Sequence, residues 1–140
     1  MDYTYSVNCS RTNLKPIRDF VEEALKDFAI SDIEKNQLVL AVDEICANLI
    51  IHSHQGDSKS VIEIHIQDQE GGILFEIIDQ DSDYFDPSKY KNDNVLNIMR
   101  NRRKGGMGLM LVQRIVDDIE VTKESSKNIW RLYKNIDSKS

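Results

Sequence analysis

The chain has 140 residues, 40% of them hydrophobic and 30% charged, with a formal net charge of −6. That length supports one buried core, that composition is ordinary for a soluble globular protein, and the acidic balance opposes direct binding to a nucleic-acid backbone. No apolar run approaches the roughly 18 residues that span a bilayer, and MDYTYSVNCS has neither a basic nor an apolar leader region, so no membrane partner is expected. Cys9 and Cys46 lack CxxC or CxxH spacing. Reduced thiols in a cytoplasmic protein are therefore expected, within one domain over residues 1–140.

In chain order, YTYSV (3–7) alternates as a short strand. Leu14, Ile17, Phe20, Val21, Ala24, Leu25 and Phe28 then recur at helical spacing, with Ser10 or Thr12 as a cap and Pro16 near the first turn. Ser31 or Asp32 caps a second helix that runs through LVLAVDEICANLII to about His52 and stops at HSHQGDSKS, with Gly56 as the turn residue. VIEIHI (61–66) and ILFEII (73–78) read as a hairpin across QDQEGG. An acidic loop, a weak helical segment around NVLNIM, the basic NRRK and a glycine-opened helix GLMLVQRIVDDI follow. EVTKES and NIWRLYKNI close the chain as a second hairpin. Helices and hairpins in separate blocks predict an α+β fold: a two-layer α/β sandwich with helices on one face of a mixed, mostly antiparallel sheet.

Three stretches carry chemistry. In the second helix Leu38, Val42, Ile45 and Leu49 form an apolar stripe, and Glu44 and Asn48 stand one turn apart beside its edge. An exposed i, i+4 polar pair is the plain reading. Within so apolar a helix, however, a carboxylate and an amide call for partners such as a metal, a water or a ligand. His52 continues the row, as a helix-end cap or a ligand. Next, RRKGGMGLMLV (102–112) places Gly105, Gly106 and Gly108 behind Arg100, Arg102, Arg103 and Lys104 and ahead of a helix, an arrangement that suits a phosphate. It is neither a P-loop nor a dinucleotide fingerprint. Finally, DQDSDYFDP (79–87) has aspartates at 79, 81 and 83. As a calcium loop it fails, because its sixth and twelfth positions are Tyr84 and Tyr90 rather than glycine and glutamate.

Taken in order, AVDEICANLIIHS, a strand ending in aspartate, FDP and GGMGLMLVQRIVDDIEV resemble the ATP-binding fold of gyrase, histidine kinases and MutL, the GHKL superfamily. Within it the chain is most similar to the short serine-kinase anti-sigma factors of the RsbW and SpoIIAB type, from about Tyr3 to Ile136. The resemblance implies ATP and Mg²⁺ as cofactors. It implies Glu44 as the catalytic residue, a general base or nucleophile-orienting acid, Asn48 as the Mg²⁺ ligand, and Asp79 as the acceptor for the adenine amino group. It also implies a phosphate loop comprising Gly105, Gly106, Met107, Gly108 and Leu109, with residues 89–104 as a lid.

The implied function is an anti-sigma factor with serine kinase activity toward an anti-anti-sigma, STAS-type partner, acting as a homodimer. Two departures stand out. Asp81 occupies the position where relatives have glycine after the adenine-binding aspartate, with FDP one residue further on, and the last hairpin lacks the usual Gly-Thr. A side chain at 81 crowds or repels the base, so the alternative is a catalytically silent binding module of the same fold that acts by association alone.

Overall fold

The computed structural model describes residues 2–53, 60–80, 107–124 and 127–136. In order these form β1 (Asp2–Asn8), α1 (Leu14–Leu25), α2 (Asp32–Ala47), β2 (Val61–Gln69), β3 (Gly72–Asp79), α3 (Met107–Ile115), β4 (Asp118–Glu124) and β5 (Lys127–Asn135). The strands make a five-stranded sheet in the order β1-β2-β3-β5-β4, antiparallel at each junction. The expected α+β sandwich is thus present, with a wholly antiparallel sheet among the described residues.

Period-2 patterning decides which face is covered. Ile62, Ile64, Ile66, Ile73, Phe75, Ile77, Trp130 and Leu132 all point one way, and they share a core with Ile17, Val21 and Leu25 of α1, Leu38, Val42 and Ile45 of α2, and Val112 and Ile115 of α3. The other face carries half-buried polar groups, such as Arg131, whose Nε donates to Glu76 at 2.8 Å and whose guanidinium also reaches Thr122. At the edge strand, the Tyr3 hydroxyl donates to the Asp27 carboxylate and Tyr5 stacks on Phe20 with centroids 5.0 Å apart, fastening β1 to α1.

Local sequence explains the ends of these elements. α2 begins in a capping box: Ser31 Oγ accepts from the Glu34 N–H at 3.0 Å, and the Ser31 N–H donates to Glu34 Oε1 at 3.1 Å. Ser31→Ala is expected to cost about 1 kcal/mol, read as a lower urea midpoint at unchanged slope. In the β2–β3 turn Gly71 has φ +77°, and a Cβ on Gly72 would run into the Lys134 carbonyl oxygen and the Tyr133 ring.

Several expected boundaries shift. Ser10 caps a short 3-10 turn at Arg11–Asn13 rather than α1 itself. α1 stops at Leu25, after which the N–H groups of Lys26, Asp27 and Phe28 bond three residues back, tightening the last turn. α3 ends at Ile115 instead of running to Ile119, because Ile119 and Val121 belong to the apolar phase of β4 and the Asp117 N–H joins Tyr133 O at 2.8 Å. α2 gives way at Asn48 to a π-helical segment, Asn48–Ser53.

Candidate functional site

The described part of the molecule has four buried polar side chains: Asn48, Ser60, Asp79 and Asn128. Three of them share one end of the sheet. Ser60 directly precedes β2, Asp79 ends β3, and Asn128 lies at the start of β5 as the cross-strand partner of Asp79. Val7, Ile62, Asp79 and Asn128 form one row across β1, β2, β3 and β5. Ile62 is a core residue, so the carboxylate of Asp79 and the amide of Asn128 stand on the helix-covered side of the sheet.

The fourth residue, Asn48, belongs to the helix layer. Cys9 follows β1, and its N–H donates to Ser60 O at 2.9 Å. The Cys46 thiol is pushed well above its ordinary range, first by burial, then by the nearby Asp43 carboxylate, then by Cys9. Cys9 and Cys46 belong to one core with Ile62, which sets the last turn of α2, two residues before Asn48, in the layer that covers the sheet. Asn48 is 1% exposed, and its N–H donates to the Glu44 carbonyl, which fixes the two residues one above the other. Glu44 itself is half-buried. Its neighbour Asp43 turns the other way and pairs with Arg18 of α1 at 3.0 Å, leaving Glu44 as the acid on the Asn48 side of the helix.

At Asn48 the helix widens to i→i+5 bonding, a change that commonly accompanies functional sites. The α-helical spacing of the Glu44–Asn48 row therefore does not carry through to His52. Met107, Gly108 and Leu109 stand at the start of the described part of α3. α3 packs beside α2. Gly105, Gly106, the 89–104 segment, Asp81, Asp83 and Gly56 lie outside the described residues.

The sequence reading did not single out Asn128 or Ser60. A signal for Asn128 existed, since Asn128, Trp130 and Leu132 share one phase of NIWRL. The opposite phase, with Ile129 and Tyr133, is nearly as apolar and masked it.

A buried carboxylate and amide at a sheet end, and a helix that carries a second buried amide and a half-buried acid, put polar groups into an otherwise apolar layer. Residues 8–134 match the pattern of the histidine kinase-like ATPase domain. The chain belongs to that family. The family is one of ATP-binding domains, and among the described residues no helix is long and apolar enough to cross a membrane. Among solved structures, the histidine kinase-like chain is similar to one of the RsbU and RsbW domains of Rv1364c from Mycobacterium tuberculosis. The TM-score is 0.68 at 13% identity, covering 96% of this chain and 32% of that one, so it spans about a third of that protein's chain. It is also similar to a chain of the SiaB–SiaC complex from Pseudomonas aeruginosa, with TM-score 0.64 at 13% identity, covering 94% of this chain and 88% of that one. At such identities the likeness is one of fold. No curated protein matches in sequence.

Proposed function

We propose that this histidine kinase-like domain is a cytoplasmic anti-sigma regulator that binds ATP with Mg²⁺ and phosphorylates a serine of an anti-anti-sigma, STAS-type partner, working as a homodimer. The observation that carries the reading is the placement of Asn48 and Glu44 one turn apart on α2, in the helix layer that shares a core with the strands that end in the buried Asp79. The likeness to a structure of RsbU and RsbW domains supports it.

The donor set suits the cofactors. Asn48 offers a neutral amide oxygen, and a Mg²⁺ ion held chiefly by phosphate oxygens and waters needs little more from the protein. When bound, Mg·ATP supplies the transferable phosphoryl group and the charge that neutralises it. Asp79 accepts the amino hydrogen of the base and sets the depth of the nucleotide. The same reading assigns the phosphates to the backbone N–H groups of Gly105, Gly106, Met107, Gly108 and Leu109, a glycine-rich run leading into α3. Glu44 takes the proton of the partner's serine hydroxyl and orients its oxygen for in-line attack.

Incubating the chain with its STAS-type partner and labelled ATP tests the reading. Glu44→Gln, which keeps the shape and removes the base, is expected to lower transfer by at least about 100-fold while nucleotide binding persists. The second reading, a silent binding module, rests on Asp81 in place of glycine. It predicts a tight complex in which wild type and Glu44→Gln alike transfer nothing.

A further inference from the structure

Among the described residues β1 is an outer strand of the sheet. The Cys9 N–H donates to Ser60 O at 2.9 Å, and that pair continues the register of Asn8 with Val61. Hydrogen-bonded pairs alternate in an antiparallel ladder, so Tyr3, Tyr5 and Val7 turn their backbone groups toward β2, and Thr4 and Ser6 turn theirs away from the sheet. At the next outward position the Asn8 carbonyl accepts from the Ser10 N–H and from Asn13 Nδ2, each at 2.8 Å, so the chain's own turn closes that end. The stretch of β1 through Ser6 is left to receive another strand. Beside it, between β1 and α1, lies a cleft of about 310 Å³ lined by Tyr3, Phe20, Glu23, Ala24, Lys26 and Asp27. Such a volume holds a side chain and little more. Glu23, Lys26 and Asp27 are exposed, and two carboxylates against one ammonium make the cleft acidic. The Tyr3 phenol is raised to about 12, first by its hydrogen bond to Asp27, then by burial, then by the charges of Asp27 and Asp68, so a further acid acts on the same place.

We infer that this edge is a docking site for an extended, basic segment of a partner protein, which adds to β1 as an outer antiparallel strand and sets an arginine or lysine side chain in the cleft. The outward backbone groups of Thr4 and Ser6 bond the added strand, and the cleft selects its side chain. A residue opposite Tyr3 projects to the same face as Tyr3, because directly opposed residues share a face. Its stem lies against Phe20 and the Tyr3 ring while its cation meets Asp27 and Glu23. Asp27 already accepts from the Tyr3 hydroxyl, and a carboxylate keeps further acceptor positions. The Glu23–Lys26 pair is solvent-exposed, 77% and 57% by side chain, so exchanging Lys26 for an incoming cation costs little. A second copy of the chain fits worse. DYTYSVN carries an acid and no base, and pairing β1 with itself brings two acidic clefts to one seam. The inference goes beyond the nucleotide site and does not depend on it.

The probe is a short fluorescein-labelled peptide of alternating arginine and threonine, titrated with the chain and followed by fluorescence anisotropy. Saturable binding of one peptide per chain is expected, at least about 10-fold tighter than for the same peptide with glutamate in place of arginine. Ser6→Pro removes an outward N–H and no ladder bond, since proline is tolerated where the N–H faces away from the sheet, and it keeps every charge in place. It is expected to weaken the arginine peptide by about 5-fold, a loss that unspecific attraction to an acidic chain does not produce. Glu23→Gln with Asp27→Asn keeps the shape of the cleft and an acceptor for Tyr3, and is expected to weaken the peptide by about 10-fold. Circular dichroism and urea midpoints check folding, and the Glu23 and Asp27 variant carries the test if Ser6→Pro does not fold. A folded Ser6→Pro or charge-neutralised chain that binds the arginine peptide as tightly as wild type would overturn the inference, as would a wild-type chain that does not bind it. Light scattering that shows a wild-type dimer converted to monomers by Ser6→Pro would give the edge to a second copy and overturn it as well.

Discussion

Replacing Asn48 with alanine is expected to abolish the thermal stabilisation that Mg·ATP confers. A ligand held at about 100 times its dissociation constant adds about 2.7 kcal/mol, which for a domain of this size corresponds to a rise in melting temperature on the order of 5–10 °C. Asn48 lies at the junction of α2 with the π-helical segment, and its amide is nearly fully buried. Alanine suits the helix but offers no oxygen to a metal. The comparison is made within the variant, with and without nucleotide, so any change in the stability of the nucleotide-free protein cancels. Chelating Mg²⁺ from the wild type is expected to remove the same shift. A variant that keeps the full rise would show that Asn48 holds no metal.

The second large effect is in the core. Trp130→Ala is expected to cost about 3–5 kcal/mol, a large share of the roughly 5–15 kcal/mol that holds a typical domain together. Trp130 is the chain's one tryptophan and is buried between Val121 and Ile77 in the row next to Asn128 and Asp79. Its loss leaves a cavity beside the row that holds Asp79, so nucleotide affinity at the proposed site is expected to fall together with stability. Because the substitution removes the fluorophore, urea unfolding is followed by far-ultraviolet circular dichroism, with a lowered midpoint and an unchanged slope as the expected pattern. Stability unchanged within about 1 kcal/mol would contradict the packing described for the sheet.

Much of this was legible in the residues themselves. The 3.6-residue stripe of Leu38, Val42, Ile45 and Leu49, and the alternation of VIEIHI and ILFEII, fix the helix and the hairpin because both patterns meet a single apolar face. The i, i+4 spacing of Glu44 and Asn48 needs nothing beyond helical geometry. Three features needed the tertiary structure. The exit of α2 into a π-helical segment has no signature in LIIHS, which is equally apolar for either winding. The end of α3 depends on Asp118 and Ile119 being claimed by β4 once that strand pairs with β5, with Val116 and Asp117 as the bend between the two elements. Asn128 becomes a site residue through its register with Asp79, a contact between positions 49 apart in the chain whose strand can present either of two apolar phases.

The claim on which the rest depends is that this histidine kinase-like chain holds Mg·ATP in the corner between Asn48 and Asp79. Calorimetric titration of the chain with ATP in the presence of Mg²⁺ addresses it most directly. A saturable isotherm with one nucleotide per chain, weakened by Asp79→Leu, is the predicted result. No detectable binding up to millimolar ATP would contradict the account.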